Sequence, residues 1–432
     1  MRTEIRGGRV VDPAAGYDQP ANLYIDGGRI VAVGKQLADF RPERIIDAAG
    51  YVVCPGLVEL SAYIPVHAGE AAIAAELHAA AANGITTLCI PPNANLIADS
   101  PANVELVHQR AQALRLVRVE VIGALTNGLQ GEQLAEMFTL MQAGCPVVSN
   151  GAFPIRSTEV MRRALEYAAT FDLTVLLHCQ DPWLTDDRLV HGGEHSFSLG
   201  LEPVPEAAET VAVARELLLL EQTGTKAHFC RLSTARAVAM IEQARARGLR
   251  VSADAALPYL FLSESDINGF DVRCHVYPPL RTQADRDSLR SALRDGTLSC
   301  ATTDHRPLGM DAKANPFPAA APGISGLDTA LPLLLRWMSE CDVPLIEALA
   351  RMTSQPAQLA GLDRGTLQAG AGADVCLFAP QVEFTVDVQR FYSQGKNSPF
   401  DGDTVRGEVK ATLVGGHLIH QAADLRITQG LL

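Results

Sequence analysis

Eight short apolar runs separated by helix-length segments occupy residues 52–303, and this alternation constrains the fold more than any other feature. The runs are Val52 to Val58, Thr86 to Ile90, Val119 to Ala124, Pro146 to Asn150, Leu173 to His178, Lys226 to Phe229, Leu249 to Ala253 and Leu298 to Thr303. Short apolar runs of this kind read as buried strands. Helical periodicity fills Ala71 to Asn83, Asn103 to Leu116, Gly131 to Ala143, Thr158 to Thr170, Glu206 to Thr223 and Thr234 to Arg247. Strands alternating with helices in this number predict a (β/α)8 TIM-like barrel. Tyr277-Pro278-Pro279 interrupts the last connection, ahead of a further helix near Asp285 to Arg294.

The two ends of the chain have a different character. Asn22 to Ile25 and Arg29 to Val33 flank Asp26-Gly27-Gly28, a hairpin signal, and Arg44 to Asp47 adds another strand. Near the other end, Asp374 to Phe378, Val409 to Val414 and His417 to Ile419 are again strand-like. Chain termini often lie close together, so these segments are expected to form one small β-sandwich. The expected division is 1–53 for its first part, 54–365 for the barrel and 366–432 for its second part.

Composition narrows the partners. With 36 Lys and Arg against 49 Asp and Glu, the net charge is −13, which disfavours nucleic acid and anionic membrane surfaces. Met1 to Arg6 lacks the apolar core of a secretory signal, and no apolar stretch approaches the roughly 20 residues of a membrane span. Nine scattered cysteines, with no CxxC pair, fit free thiols in a reducing cytoplasm. The expectation is a cytoplasmic protein with no membrane and no nucleic-acid partner.

A barrel of this type presents its chemistry at the C-terminal ends of the strands. The polar residues falling there are Ser61, Tyr63, Asn93, Asn95, Asn150, His178, Arg231, Asp304 and His305. The candidate metal ligands among them are only His178 and Asp304, too few for a two-metal hydrolytic centre. That shortage matters energetically. A zinc-type ion lowers the pKa of bound water from about 16 to about 7, up to about 12 kcal/mol of hydroxide stabilisation. His67 and His228 read as structural rather than catalytic, His191 and His195 as surface or loop-packing residues, and no Ser-His-Asp arrangement or phosphate-cradling glycine loop is present.

Several stretches resemble the dihydroorotase family of the amidohydrolase superfamily, over nearly the whole chain. Pro55-Gly56-Leu57-Val58-Glu59 is similar to its first barrel strand, and Pro92-Asn93-Ala94-Asn95 to its Pro-Asn-Thr-Asn. Thr303-Asp304-His305-Arg306-Pro307 resembles its Thr-Asp-His-Ala-Pro, and Gly323 to Pro332 its substrate loop. Gly395 to Phe400 and Gly361 to Gly365 resemble its C-terminal signatures. The resemblance implies zinc as cofactor, Asp304 as ligand and general base, and a substrate pocket at Asn93, Asn95, Ile324 and Leu327. The departures are as specific. Ser61 and Tyr63 stand where the family has His-x-His, Asn150 where it has a bridging carboxylate, Arg231 where it has a ligand histidine, and Tyr277 in place of an Asn. Of six ligand positions implied by the resemblance (61, 63, 150, 178, 231 and 304), two keep a ligating side chain. A guanidinium does not deprotonate and repels a cation.

The resemblance is strongest to the inactive dihydroorotase-like chain that assembles with the aspartate transcarbamoylase catalytic chain in some bacteria. It implies a non-catalytic subunit with no metal cofactor, in a hetero-oligomer holding several copies of each chain. Asp304 and His305 are then vestigial. Two other readings stay open: an active cyclic amide hydrolase with a single-metal or rearranged site, drawing on His67, His178 and Asp304, and a sensor of pyrimidine-like ligands.

Overall fold

The computed structural model of the chain describes residues 1–34, 37, 39–186 and 188–430. Eight strands form the barrel: β1 (Leu57–Glu59), β2 (Ile85–Ile90), β3 (Arg118–Val121, continued by Gly123–Ala124), β4 (Val147–Ser149), β5 (Thr174–Leu177), β6 (Lys226–Phe229), β7 (Val251–Ala256) and β8 (Cys300–Thr302). Successive strands pair in parallel around the ring. Parallel strands are covered on both faces, which explains why they read as unbroken apolar runs; all six residues of β2 are buried. The ring closes just beyond the ends of β1 and β8. There Ala62 bridges His305, Tyr63 N donates to the His305 carbonyl (2.9 Å), and His305 N donates to the Ser61 carbonyl (3.1 Å). The seam of the barrel is therefore built from the residues that line its mouth.

The surrounding helices start where short polar side chains can take up unpaired amide groups. Ser157 caps Thr158–Thr170, Thr234 caps Ala235–Ala246, and Thr282 with Asp285 forms a capping box on Gln283–Asp295. One expected helix is cut short. The span expected from Gly131 to Ala143 is helical only over Met137–Gln142. The preceding residues form a loop held by local bonds: Gly131 N donates to Thr126 Oγ1 (3.0 Å) and Ala135 N to the Leu125 carbonyl (3.0 Å). These tertiary bonds override the helical periodicity.

The chain ends build one nine-stranded sheet among the described residues. Its order is His417–Gln421, Thr404–Val414, Val375–Thr385, Val52–Pro55, Thr3–Asp12, Tyr17–Asp26 and Arg29–Val33, with Arg44–Asp47 beside Thr3–Asp12 and Ile427–Gln429 beside Arg44–Asp47. It has its own core, including Ile5, Leu23, Ile25, Val53, Leu377 and Leu413. The single run expected at Val52 to Val58 is two strands. Val52–Pro55 pairs with Val375–Thr385, whereas β1 pairs with β2. Gly56 makes the crossing between the two layers, at a point where any Cβ would run into the Thr86 side chain. Residues 431 and 432, in the last expected segment, lie outside the described residues. No described helix is long and apolar enough to cross a membrane.

Candidate functional site

Three strand ends converge on one ion pair. Arg231, two residues past β6, places Nη1 2.5 Å from Oδ1 of Asp304, two residues past β8. Ser61, two residues past β1, donates its hydroxyl to the same oxygen (3.2 Å). Arg231 Nη1 also lies 3.4 Å from both Ser61 Oγ and Tyr63 Oη. The pair is shielded, with Arg231 4% and Asp304 9% exposed. Burial opposes the guanidinium charge, but Asp304 and Tyr63 outweigh it and hold Arg231 well above its ordinary range. The cation is permanent.

Both partners sit in the left-handed backbone region, Arg231 at φ 54° and Asp304 at φ 45°. Such conformations cost about 1–3 kcal/mol each and persist where the surroundings enforce them. Around Arg231 the enforcement comes from Asp254, whose Oδ1 accepts from Arg231 N (2.7 Å) and whose carbonyl accepts from Leu232 N (3.0 Å).

A second guanidinium joins the first. Arg306 Nη2 donates to Tyr63 Oη (3.2 Å), its Nε lies 3.6 Å from Asp304 Oδ2, and its Cζ stands 4.4 Å over the Tyr63 ring. Sequence reasoning did not single out Arg306. The signal was available, since it occupies the alanine position of the Thr-Asp-His-Ala-Pro pattern.

The remaining candidates divide sharply. His178, one residue past β5, makes no side-chain hydrogen bond from either ring nitrogen and has only a weak approach to the backbone of Cys230. Burial, then the charges of Arg231 and Arg306, push its pKa well below the usual imidazole range and keep it neutral. Its ring packs 5.4 Å from that of Tyr277. Asn150 is turned to structure. Its Oδ1 accepts from Thr126 Oγ1 (2.8 Å), and its Nδ2 donates to the carbonyls of Phe153 (2.9 Å) and Leu129 (3.3 Å). His305 is fully buried, donates to Glu76 (2.9 Å), and accepts on Nδ1 from Gly326 N (3.1 Å) and Leu327 N (3.3 Å). It thus pins the Ile324–Leu327 loop to the helix Glu70–Ala82.

Asn93 closes its own turn, donating to the Pro91 carbonyl (3.1 Å) and accepting from Asn95 N (2.8 Å), while Asn95 is exposed. Ile324 and Leu327 are buried. Asn397, in the C-terminal signature, braces the loop after β8. It accepts from Leu308 N (3.0 Å) and donates to the carbonyls of Gly323 (2.9 Å) and Arg306 (3.1 Å).

Glu59 was not anticipated either. It lies under Ser61 and accepts from Ser61 N (2.8 Å), Thr303 N (2.8 Å) and the Thr302 hydroxyl. Burial raises its carboxyl to about 7.

The donor chemistry does not suit a zinc-type ion, which takes neutral imidazoles, thiolates and carboxylates. Asp304 is already paired to a fixed cation, and a hydroxyl, a phenol and a guanidinium stand around it. Among the described residues, one set of three His, Cys, Asp or Glu side chains brings its ligand atoms within 4.8 Å: His228, Cys230 and Asp254. Both ring nitrogens of His228 are engaged, with Ser252 Oγ and Asp254 Oδ2 at 2.8 Å each, and burial lifts the Cys230 thiol well above its ordinary range. His67, His178 and Asp304 are not brought together, so the single-metal group read from the sequence does not form; His67 is exposed.

The barrel, its terminal β-sandwich and a mouth built on β1, β6 and β8 define a protein of the amidohydrolase fold class. The solved L-hydantoinase of Arthrobacter aurescens superposes with a TM-score of 0.85, at 24% identity, over 99% of this chain and 98% of its own. The dihydropyrimidinase of Brevibacillus agri gives a TM-score of 0.83 at 21% identity, over 98% and 95% of the two chains. A dihydro-orotase-like family model matches residues 50–237. The dihydroorotase-like protein of Pseudomonas aeruginosa is 45% identical over 423 residues, covering 98% of this chain and all of that protein. A protein named dihydroorotase from Syntrophotalea carbinolica is 39% identical over 426 residues, again covering 98% and 100%. The chain belongs to the dihydroorotase-like family.

Proposed function

We propose that this chain is a catalytically inactive dihydroorotase-like protein, acting in the cytoplasm as a non-catalytic subunit required for assembly or stability of aspartate transcarbamoylase in pyrimidine biosynthesis. The observation that carries the inactivity is the Arg231–Asp304 ion pair. A family hydrolase needs that carboxylate free to bind metal and move a proton; here it is neutralised, hydrogen-bonded by Ser61 and shielded. With no activated hydroxide, up to about 12 kcal/mol of nucleophile stabilisation is missing. The subunit role rests on the family resemblance. A chain that keeps its barrel, bracing loops and sandwich while giving up the catalytic charge arrangement retains a surface rather than a reaction, in a complex holding several copies of each chain.

Two measurements test the proposal. Purified protein supplied with zinc should turn over neither dihydroorotate nor carbamoyl-aspartate. In cells lacking this chain, the transferase should lose size or activity; an unchanged assembly would refute the subunit role.

The second reading is an active cyclic amide hydrolase with a rearranged site. It draws support from the relative named dihydroorotase at 39% identity and from His178, whose ring nitrogens make no side-chain hydrogen bond. Zinc-dependent turnover abolished by His178→Ala would establish it.

A further inference from the structure

The end of the barrel opposite its mouth carries a groove of a different character. It runs between the helix Pro101–Leu114, the start of β3 and two turns of the β-sandwich, at Gly27-Gly28 and at Gly415, and has a volume of about 890 Å3. Small-molecule sites span about 300–1,000 Å3. Four arginines line the groove, Arg29, Arg115, Arg118 and Arg364, against one carboxylate, Glu120. The chain as a whole has the reverse balance, with 36 basic and 49 acidic residues. The concentration of cations is local to this groove.

Two of the arginines are held from below. Arg118 forks onto Asp374 through Nε (2.9 Å) and Nη2 (3.2 Å), and Arg364 Nη1 donates to Glu120 (2.5 Å). The carboxylates are the shielded members, with the Asp374 side chain 6% and Glu120 15% exposed against 37% for Arg118 and 23% for Arg364. The acids therefore form the base, and the guanidiniums form the face that meets solvent. The other two arginines have no carboxylate among the described residues. The Arg29 guanidinium donates to the Gly370 carbonyl (2.7 Å), and Arg115, at the C-terminal cap of Pro101–Leu114, makes no ion pair. His108, on the same wall, has a buried Nε2 without a partner. Two carboxylates offset two of the four guanidiniums, and two positive charges are left over.

We propose that this groove binds a small ligand carrying a diphosphate group, held by Arg29 and Arg115 and oriented by the fixed forks of Arg118 and Arg364. A guanidinium fork takes phosphate oxygens two at a time, and a diphosphate has enough oxygens to engage more than one fork. A single carboxylate offers two acceptors and one charge, where two charges are left over. Half-buried Leu116 and Leu418 on the groove walls give apolar surface for the organic part of such a ligand. The site lies at the far end of the barrel from Asp304 and does not depend on whether the mouth is catalytic.

The test is calorimetric titration of the full-length protein with inorganic pyrophosphate, with citrate and sulfate as comparison anions. It is repeated on Arg29→Gln, Arg115→Gln, the double variant and Arg163→Gln. Arg29 and Arg115 are exposed and make no ion pair, so their substitution leaves the fold intact, which circular dichroism checks. Arg163, exposed on the helix Thr158–Thr170 and outside the groove, controls for net charge. The expected result is saturable binding of pyrophosphate, tighter than citrate or sulfate. Each single groove variant weakens it at least about threefold and the double variant at least about tenfold, while Arg163→Gln leaves it unchanged. Absence of saturable binding, citrate held as tightly as pyrophosphate, or groove variants that lose no more affinity than Arg163→Gln overturns the proposal. None of these outcomes touches the inactive-subunit reading, which zinc-dependent turnover decides separately.

Discussion

Substituting Arg231 by Met removes the cation from the barrel mouth while keeping most of the side-chain volume, and the structure fixes what should follow. Asp304 would keep Ser61 at 3.2 Å and Arg306 at 3.6 Å but lose its 2.5 Å partner, in a position only 9% exposed. Removing one member of a buried ion pair costs about 3–5 kcal/mol, and the residual Arg306 contact places this variant near the lower bound. Asp304→Leu should cost more, because it leaves Arg231 facing only the Ser61 and Tyr63 oxygens at 3.4 Å. The double variant Arg231→Met with Asp304→Leu removes both charges and should cost less than either single change, since apolar replacement of a whole buried pair is often near neutral. A chain of 432 residues melts with an entropy near 0.9 kcal/mol/K, so the Arg231→Met loss lowers Tm by about 3–4 °C. Scanning calorimetry and urea denaturation on the four proteins complete a double-mutant cycle, with an expected coupling of at least about 2 kcal/mol. Additive single effects, or an Arg231→Met variant within about 0.5 kcal/mol of the parent, would refute the reasoning.

Other predictions follow from the layers around this pair. Glu59 has a folded pKa near 7 against an ordinary 4.5, so the folded state holds a proton that the unfolded state releases between those values. Its contribution to stability is therefore full below about pH 4.5 and falls as pH rises to about 7, by at most about 3 kcal/mol, and is flat above. Denaturant midpoints of the parent and Glu59→Gln across pH 5–8 check this, the variant lacking that slope. Glu76→Gln weakens the fully buried bond to His305 and should speed amide exchange at Gly326 and Leu327, whose N–H groups donate to that ring. Asn150→Asp, which puts a carboxylate back at a ligand-like position, should not recruit zinc. It should destabilise by about 1–3 kcal/mol, because Nδ2 donates to the Phe153 and Leu129 carbonyls and an acceptor there would face two acceptors; equilibrium unfolding and metal analysis of the variant report both effects.

The barrel was legible because parallel strands buried on both faces leave continuous apolar runs with little else to read them as. The segment before Met137 was not, because Thr126 and Leu125 hold it through bonds that periodicity does not encode. At the site, the positions of Ser61, Tyr63, His178, Arg231 and Asp304 followed from their places at strand ends, whereas their contacts did not. The role of Arg306 was not legible because it comes from contacts with Tyr63, 243 positions away, which leave no local trace. Asn150 could be placed by motif, but its three local bonds depend on how two loops fold back. His305 and Glu76 are 229 positions apart, and such a pairing leaves no local trace in a sequence.

The proposed inactivity of this chain turns on what the barrel holds in the native state. Mass-spectrometric metal analysis of protein purified without chelators and without added zinc measures it. The ion pair at Asp304 predicts well under about 0.1 equivalents of zinc or any other transition metal per chain. One or two equivalents that leave on His178→Ala substitution would contradict it and make this chain a working metallohydrolase.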